Sequence, residues 1–219
     1  MYQLTHAYRN HLPLGDLEFV AACLGGSETQ TDAIFKLLTD PATVDEILDQ
    51  PKLIETVLDS IEQLRLSSRL YFYLVTRHSL KRAGLDDADL ADYLSGVLDE
   101  QLALRGRPGR RPPVFYVVDW LNELEKQPRE KHFQLYVMAG NYLLFLTGIF
   151  PNRIHERRRR RGAPGLGFYE DIGRFSFENA SRHARNANRD EAIYRRIADR
   201  FSDLRSALND ASDRLLHLD

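Results

Sequence analysis

At 219 residues the chain can bury one sizeable hydrophobic core or two small ones, and its formal charge of −2 argues against a global attraction to polyanions. Its one cysteine, Cys23, excludes an intrachain disulfide and fits a reducing cytoplasm. The charge is uneven: residues 1–150 carry 15 Lys plus Arg against 21 Asp plus Glu, residues 151–219 carry 15 against 11, and 25 of the 30 basic residues are arginine. That bias has two readings, codon usage in a GC-rich bacterium or recognition of phosphate and carboxylate by a planar fork of donors.

The first dozen residues, with Tyr2, His6, Tyr8 and His11, have no clear period. Residues 14–24 read as a short helix closed by Gly25-Gly26, and residues 31–39 as a second with Ile34, Leu37 and Leu38 on one face. Asp40-Pro41 predicts a cap and first-turn proline for a short helix through Leu48, and Gln50-Pro51 repeats the device. Leu53, Ile54, Val57, Leu58, Ile61 and Leu64 then keep amphipathic helical spacing. Residues 69–82 (RLYFYLVTRHSLKR) are apolar on most sides, which predicts an inner helix, closed by Gly84. Residues 86–104 form a helix with acids crowding its first turn, where the helix dipole favours them.

Residues 105–113 (RGRPGRRPP) have the composition of an exposed loop and are the candidate hinge. Residues 114–118 (VFYVV) have strand propensity but no partner strand, and Val114, Val117, Val118, Leu121 and Leu124 keep helical spacing, so helix is favoured. Residues 133–150 (FQLYVMAGNYLLFLTGIF) run eighteen positions without a charge. A helix of about 27 Å would be at the short edge of a bilayer span. Gln134, Asn141 and Thr147, the contact-making Gly140 and Gly148, and the lack of a preceding signal peptide favour burial in protein. Pro151 ends it. After the run Arg157 to Arg161, residues 166–184 carry a stripe of mostly small residues (Tyr169, Gly173, Ser176, Ala180, Ala184), whose expected partner is Ala139-Gly140. Glu170, Arg174, Glu178 and Arg182 repeat every four residues as an ion-pair ladder. Residues 190–218 alternate steps of three and four through Tyr194, Ile197, Phe201, Leu204, Leu208, Ala211, Leu215 and Leu218. That repeat marks a bundle seam, filled by the chain itself or by a second copy.

Signals for catalysis are weak. Gly162-Ala-Pro-Gly-Leu-Gly167 lacks the lysine and hydroxyl of a phosphate loop. No two of the seven histidines (His6, His11, His78, His132, His155, His183, His217) lie three or four apart, and no Glu-x-x-His occurs. Cys23 lies in an apolar stretch and reads as an inert core thiol, Ser95-Gly96 has no strand–turn–helix context, and Asp119 and Glu123 read as solvated acids. The arginine clusters are the strongest feature: Arg105, Arg107, Arg110 and Arg111, with Arg157, Arg158, Arg159, Arg160 and Arg161, could bind several phosphates. No aromatics interleave with the second run in sequence, and the remaining surface is acidic.

The sequence thus predicts an all-α protein, a single helical domain over residues 1–219. It is an irregular bundle around the buried helix 133–150, with a long heptad-patterned helix at its end. The first functional expectation is a non-catalytic interaction or scaffold protein, bacterial and cytoplasmic, that forms a homodimer through Tyr194, Ile197, Phe201, Leu204, Leu208, Ala211 and Leu215. The alternatives are nucleic-acid or other polyanion binding through the arginines, and an enzyme with a site inside the bundle around Asn141, Tyr142, His132 or the Asp119/Glu123 pair. No cofactor, metal or membrane is expected; the partner is a protein, a second copy or nucleic acid.

Overall fold

The computed structural model describes residues 8–59, 65–105, 117–184 and 190–213. Among them are twelve helices and no strand, so the protein is an all-α multi-helix bundle. Its contacts gather into two compact units, Gln3–Asp99 and Glu100–Asp219.

In the amino-terminal unit, α1 (Leu14–Leu24) packs on α2 (Glu28–Leu38) and on α4 (Pro51–Asp59), while α3 (Val44–Leu48) follows α2 and α4 meets α5 (Ser68–Arg82). α2 starts earlier than its apolar residues suggest, because Ser27 caps it by accepting from the Gln30 N–H. α3 starts later than Pro41. Asp40 folds residues 41–43 into a turn, its carboxylate accepting from Ala42 N–H and its carbonyl from Thr43 and Val44 N–H. Asp16 of α1 is buried and ties two distant segments together, accepting from Ser67 N–H and Ser67 Oγ at 2.7 Å each and from the Tyr8 hydroxyl. Ser67 in turn caps α5, and Gly84, at φ +75°, supplies the left-handed residue after it. α6 (Ala88–Arg105) begins after Asp87, whose carboxylate accepts from Leu90 N–H. Cys23 is half-buried rather than a core thiol, its Sγ 3.2 Å from Thr56 Oγ1.

The carboxy-terminal unit is organised by α8 (Arg129–Ile149), which buries ten side chains or glycines along its length. α10 (Leu166–Ala184) and α12 (Phe201–Ala211) lie on α8, α11 (Glu191–Asp199) on α10, and α7 (Val117–Lys126) and α9 (Pro151–Arg161) at its flanks. Val117 opens α7 as helix; residues 114–116 lie outside the described residues. The glycines of α8 set the close approaches: a Cβ on Gly140 would fall 2.8 Å from the Phe177 ring, and one on Gly148 2.7 Å from Leu208 Cβ. The small stripe of α10 is buried. It does meet α8, but Gly140 receives the large Phe177 and Gly173 receives Phe201 of α12, so these two glycines each face a ring rather than another small residue.

The α10 charge ladder does not form. Glu170 pairs with Arg205 of α12 at 2.7 Å, and among the described residues Arg174, Glu178 and Arg182 make no ion pair. A half-buried partner on another helix outcompetes an exposed one on the same helix. No single helix among the described residues is long and apolar enough to cross a membrane; α8 and α9 reach that composition together but are bent by 88°.

Candidate functional site

α9 begins as the sequence dictates, with Pro151 in its first turn, where a missing N–H costs nothing. Ile154 is its one buried residue. Gly162 ends it in the left-handed conformation at φ 62°, its N–H donating to Arg158 O at 3.0 Å. Arg158, Arg159, Arg160 and Arg161 fill the last turn and are exposed, and Arg157 is half-exposed. Cations there suit the negative end of the helix dipole, but like charges three and four apart repel. Among the described residues, no carboxylate pairs with any of the five. Arg153, one turn earlier, lies over the Phe150 ring at 4.6 Å. The Arg158 guanidinium covers the start of α10, where a Cβ on Gly165 would meet its Nη1 at 2.8 Å.

The unit that carries α9 is basic. Glu100–Asp219 holds 22 Lys plus Arg against 16 Asp plus Glu, a balance of +6, whereas Gln3–Asp99 holds 8 against 16, or −8. The overall −2 hides this division.

A row of rings that sequence order scatters lies on the flank shared by α7, α8 and α10. Trp120 donates its Nε1–H to Leu135 O at 3.3 Å and meets Tyr136 edge-on at 5.8 Å. Tyr136 stacks on His183 at 5.6 Å and meets Phe175 at 6.3 Å; His183 lies 6.0 Å from His132. Burial, His132 and Arg129 together hold the His183 imidazole below the usual histidine value. Phe168 and Phe175, seven apart on α10, share one face and are 41% and 44% exposed. Ile172 between them packs both on the Trp120–Leu124–Ala139 cluster and on the Leu143–Ile154–Tyr169 cluster, joining the α7 side of this flank to the α9 side.

The fold therefore gathers Arg157 to Arg161 on one exposed helix. Arg105 ends α6; Arg107, Arg110 and Arg111 lie outside the described residues, as do residues 106–113 of the expected hinge. Tyr194, Ile197, Phe201, Leu204, Leu208 and Ala211 are all buried within the single chain, where α8 and α10 cover them; Leu215 lies outside the described residues. The seam is divided into α11 and α12 at Arg200. Of the bundle groups, Asn141 is buried and Tyr142 half-buried on α8. Asp119 and Glu123 are exposed on α7, Glu123 accepting from Gln127 Nε2 at 2.6 Å, and the His132 Nε2 is engaged by Gln127 O at 3.0 Å.

Sequence reasoning missed a second set of charges, in the amino-terminal unit. Arg69, Tyr73, Arg77 and Lys81, each four residues after the last, form one polar edge of α5. Arg77 binds Asp49 through Nε and Nη2 at 2.8 and 2.7 Å and also reaches Asp86; Lys81 joins Asp49 at 2.8 Å. Arg69 binds Asp92, while Arg9 binds Asp45 and Asp89 and lies 3.8 Å from Asp92. Burial raises Asp92, and its arginines offset that in part. For Asp49 the burial penalty is outweighed by bonds from Arg77 and Lys81, so its pKa is lowered. Each of these arginines already has carboxylates, so the network acts as a clamp holding α3, α5 and α6 together. The four-residue spacing was its visible signal.

Among the described residues no group of three or more His, Cys, Asp or Glu is placed to hold a metal ion. No family model, curated protein or solved structure matches this chain.

Proposed function

We propose that this chain is a non-catalytic helical binding protein that docks a nucleic acid on α9. One observation carries the reading: five consecutive arginines project from a capped helix with no carboxylate partner among the described residues, on a unit of charge +6. A row of phosphates relieves the mutual repulsion of those side chains and releases counterions from the polymer. Self-association through the 190–218 seam is the weaker proposal, because it would need side chains that α8 and α10 already cover.

The test is fluorescence anisotropy with labelled DNA and RNA over a salt series, comparing the wild type with a variant in which Arg157 to Arg161 are serine and helicity is checked by circular dichroism. With three to five phosphates contacted, the logarithm of affinity is expected to fall against the logarithm of salt with a slope of roughly −2 to −4, and the variant to lose most of that slope. A wild type that binds neither polymer at low salt would sink the proposal.

A further inference from the structure

Resting on the reading of α9 as a phosphate-binding helix, we infer that its occupant is a single strand with unpaired bases, stacked on the ring flank of α10. Arginines alone do not choose between single strand, duplex and any other polyanion, because each offers negative charge. The rings beside them do. Arg158 lies over Gly165, and Phe168 follows one turn later on α10. Phe168 and Phe175 place two exposed rings on one face, about 10.5 Å apart at 1.5 Å per residue. Beyond Phe175 the row continues into Tyr136 and His183.

A cationic track that leads onto successive aromatic faces is the arrangement that binds single strands without reading sequence, since every base has a π-face. A duplex keeps those faces covered by its own stacking, and a sulfated polysaccharide has none. Asp171 is exposed on the same side of α10, between the two phenylalanines in sequence, and opposes any phosphate that strays there. The backbone is therefore directed to α9 and the bases to the rings.

The experiment titrates the full chain with a labelled pyrimidine single strand, a duplex of the same length and labelled heparin. It compares the wild type with the double variant F168L/F175L and with the arginine-to-serine variant. Leucine keeps an apolar body at two already exposed positions, so the fold is retained, and F168Y/F175Y restores the π-faces as a control. The inference predicts that the wild type prefers the single strand. F168L/F175L should weaken single-strand binding by roughly 5- to 100-fold with duplex and heparin unchanged, and the tyrosine variant should recover it. Equal wild-type affinity for single strand and duplex, or single-strand binding unchanged in F168L/F175L but lost with the arginines, overturns this inference and leaves the α9 reading standing. A wild type that binds none of the three overturns both.

Discussion

The two units use arginine in opposite ways. In the amino-terminal unit Arg9, Arg69 and Arg77 are largely covered, and each is matched by at least one aspartate on another segment. In the carboxy-terminal unit Arg157 to Arg161 stand on the outside of α9 with no such match among the described residues. The surrounding charge follows the same division, −8 against +6. A buried arginine needs its carboxylates in the folded state, so its partner is written into the chain. The exposed arginines of α9 have no carboxylate partner among the described residues, and the function proposed above gives them one outside the chain. Residue type alone does not distinguish these roles; burial and pairing do.

The sharpest way to break that contrast is to remove arginines of each kind. R77A leaves the partly covered Asp49 with Lys81 alone and takes the partner from Asp86. Losing one member of a buried pair costs about 3–5 kcal/mol, at the lower end here because Asp86 is well exposed. The urea midpoint should fall clearly at unchanged slope. Surface substitutions, by contrast, move stability by about 0.5 kcal/mol or less each, so the serine variant of α9 should unfold closer to the wild type than R77A does while losing the proposed nucleic-acid binding. A midpoint for R77A no lower than that of the α9 variant would end the distinction.

A second prediction sharpens it from the side of the apolar core of the carboxy-terminal unit. A Cβ on Gly173 would fall under 3.0 Å from the Phe201 ring, and both neighbours are helical and enclosed. G173A is therefore expected to destabilise by about 1–3 kcal/mol through overpacking, although alanine is the better helix former. Thermal unfolding followed by circular dichroism decides this; a more stable G173A would mean that α10 and α12 are not in close contact.

The elements that obey a local rule were legible in the sequence. Pro51 and Pro151 mark the starts of α4 and α9, the uncharged run 133–150 marks the core helix, and the small stripe 169–184 marks a face that another helix approaches. Features that depend on tertiary partners were not. The apolar run LYFYLV gives α5 the pattern of an inner helix, while Arg69, Arg77 and Lys81 lie on it at the same spacing as any surface ladder and differ only in what covers them. The division at Arg200 is invisible to periodicity because Ile197, Phe201 and Leu204 keep their steps across it. Of the candidate site, the arginines were visible as a run, but the rings beside them come from residues as far apart as Tyr136 and His183, and no local pattern joins them.

The smallest predicted effect concerns that ring row. His183 is held below its ordinary value of 6.5 by burial first and by His132 and Arg129 after it. As pH falls through 6.5 the unfolded chain takes up a proton before the folded one does, so the unfolded state binds more protons and stability declines with falling pH. The decline begins at 6.5 and levels off once the pH passes the lower folded value; above 6.5 the contribution is complete. The thermal midpoint of H183Q should lack that part of the slope, while the acid limb set by carboxylates such as Asp49 remains. Identical midpoint-against-pH curves for wild type and H183Q would show that the imidazole titrates as freely folded as unfolded. A ring packed on Tyr136, with a second imidazole and Arg129 close by, should not do so.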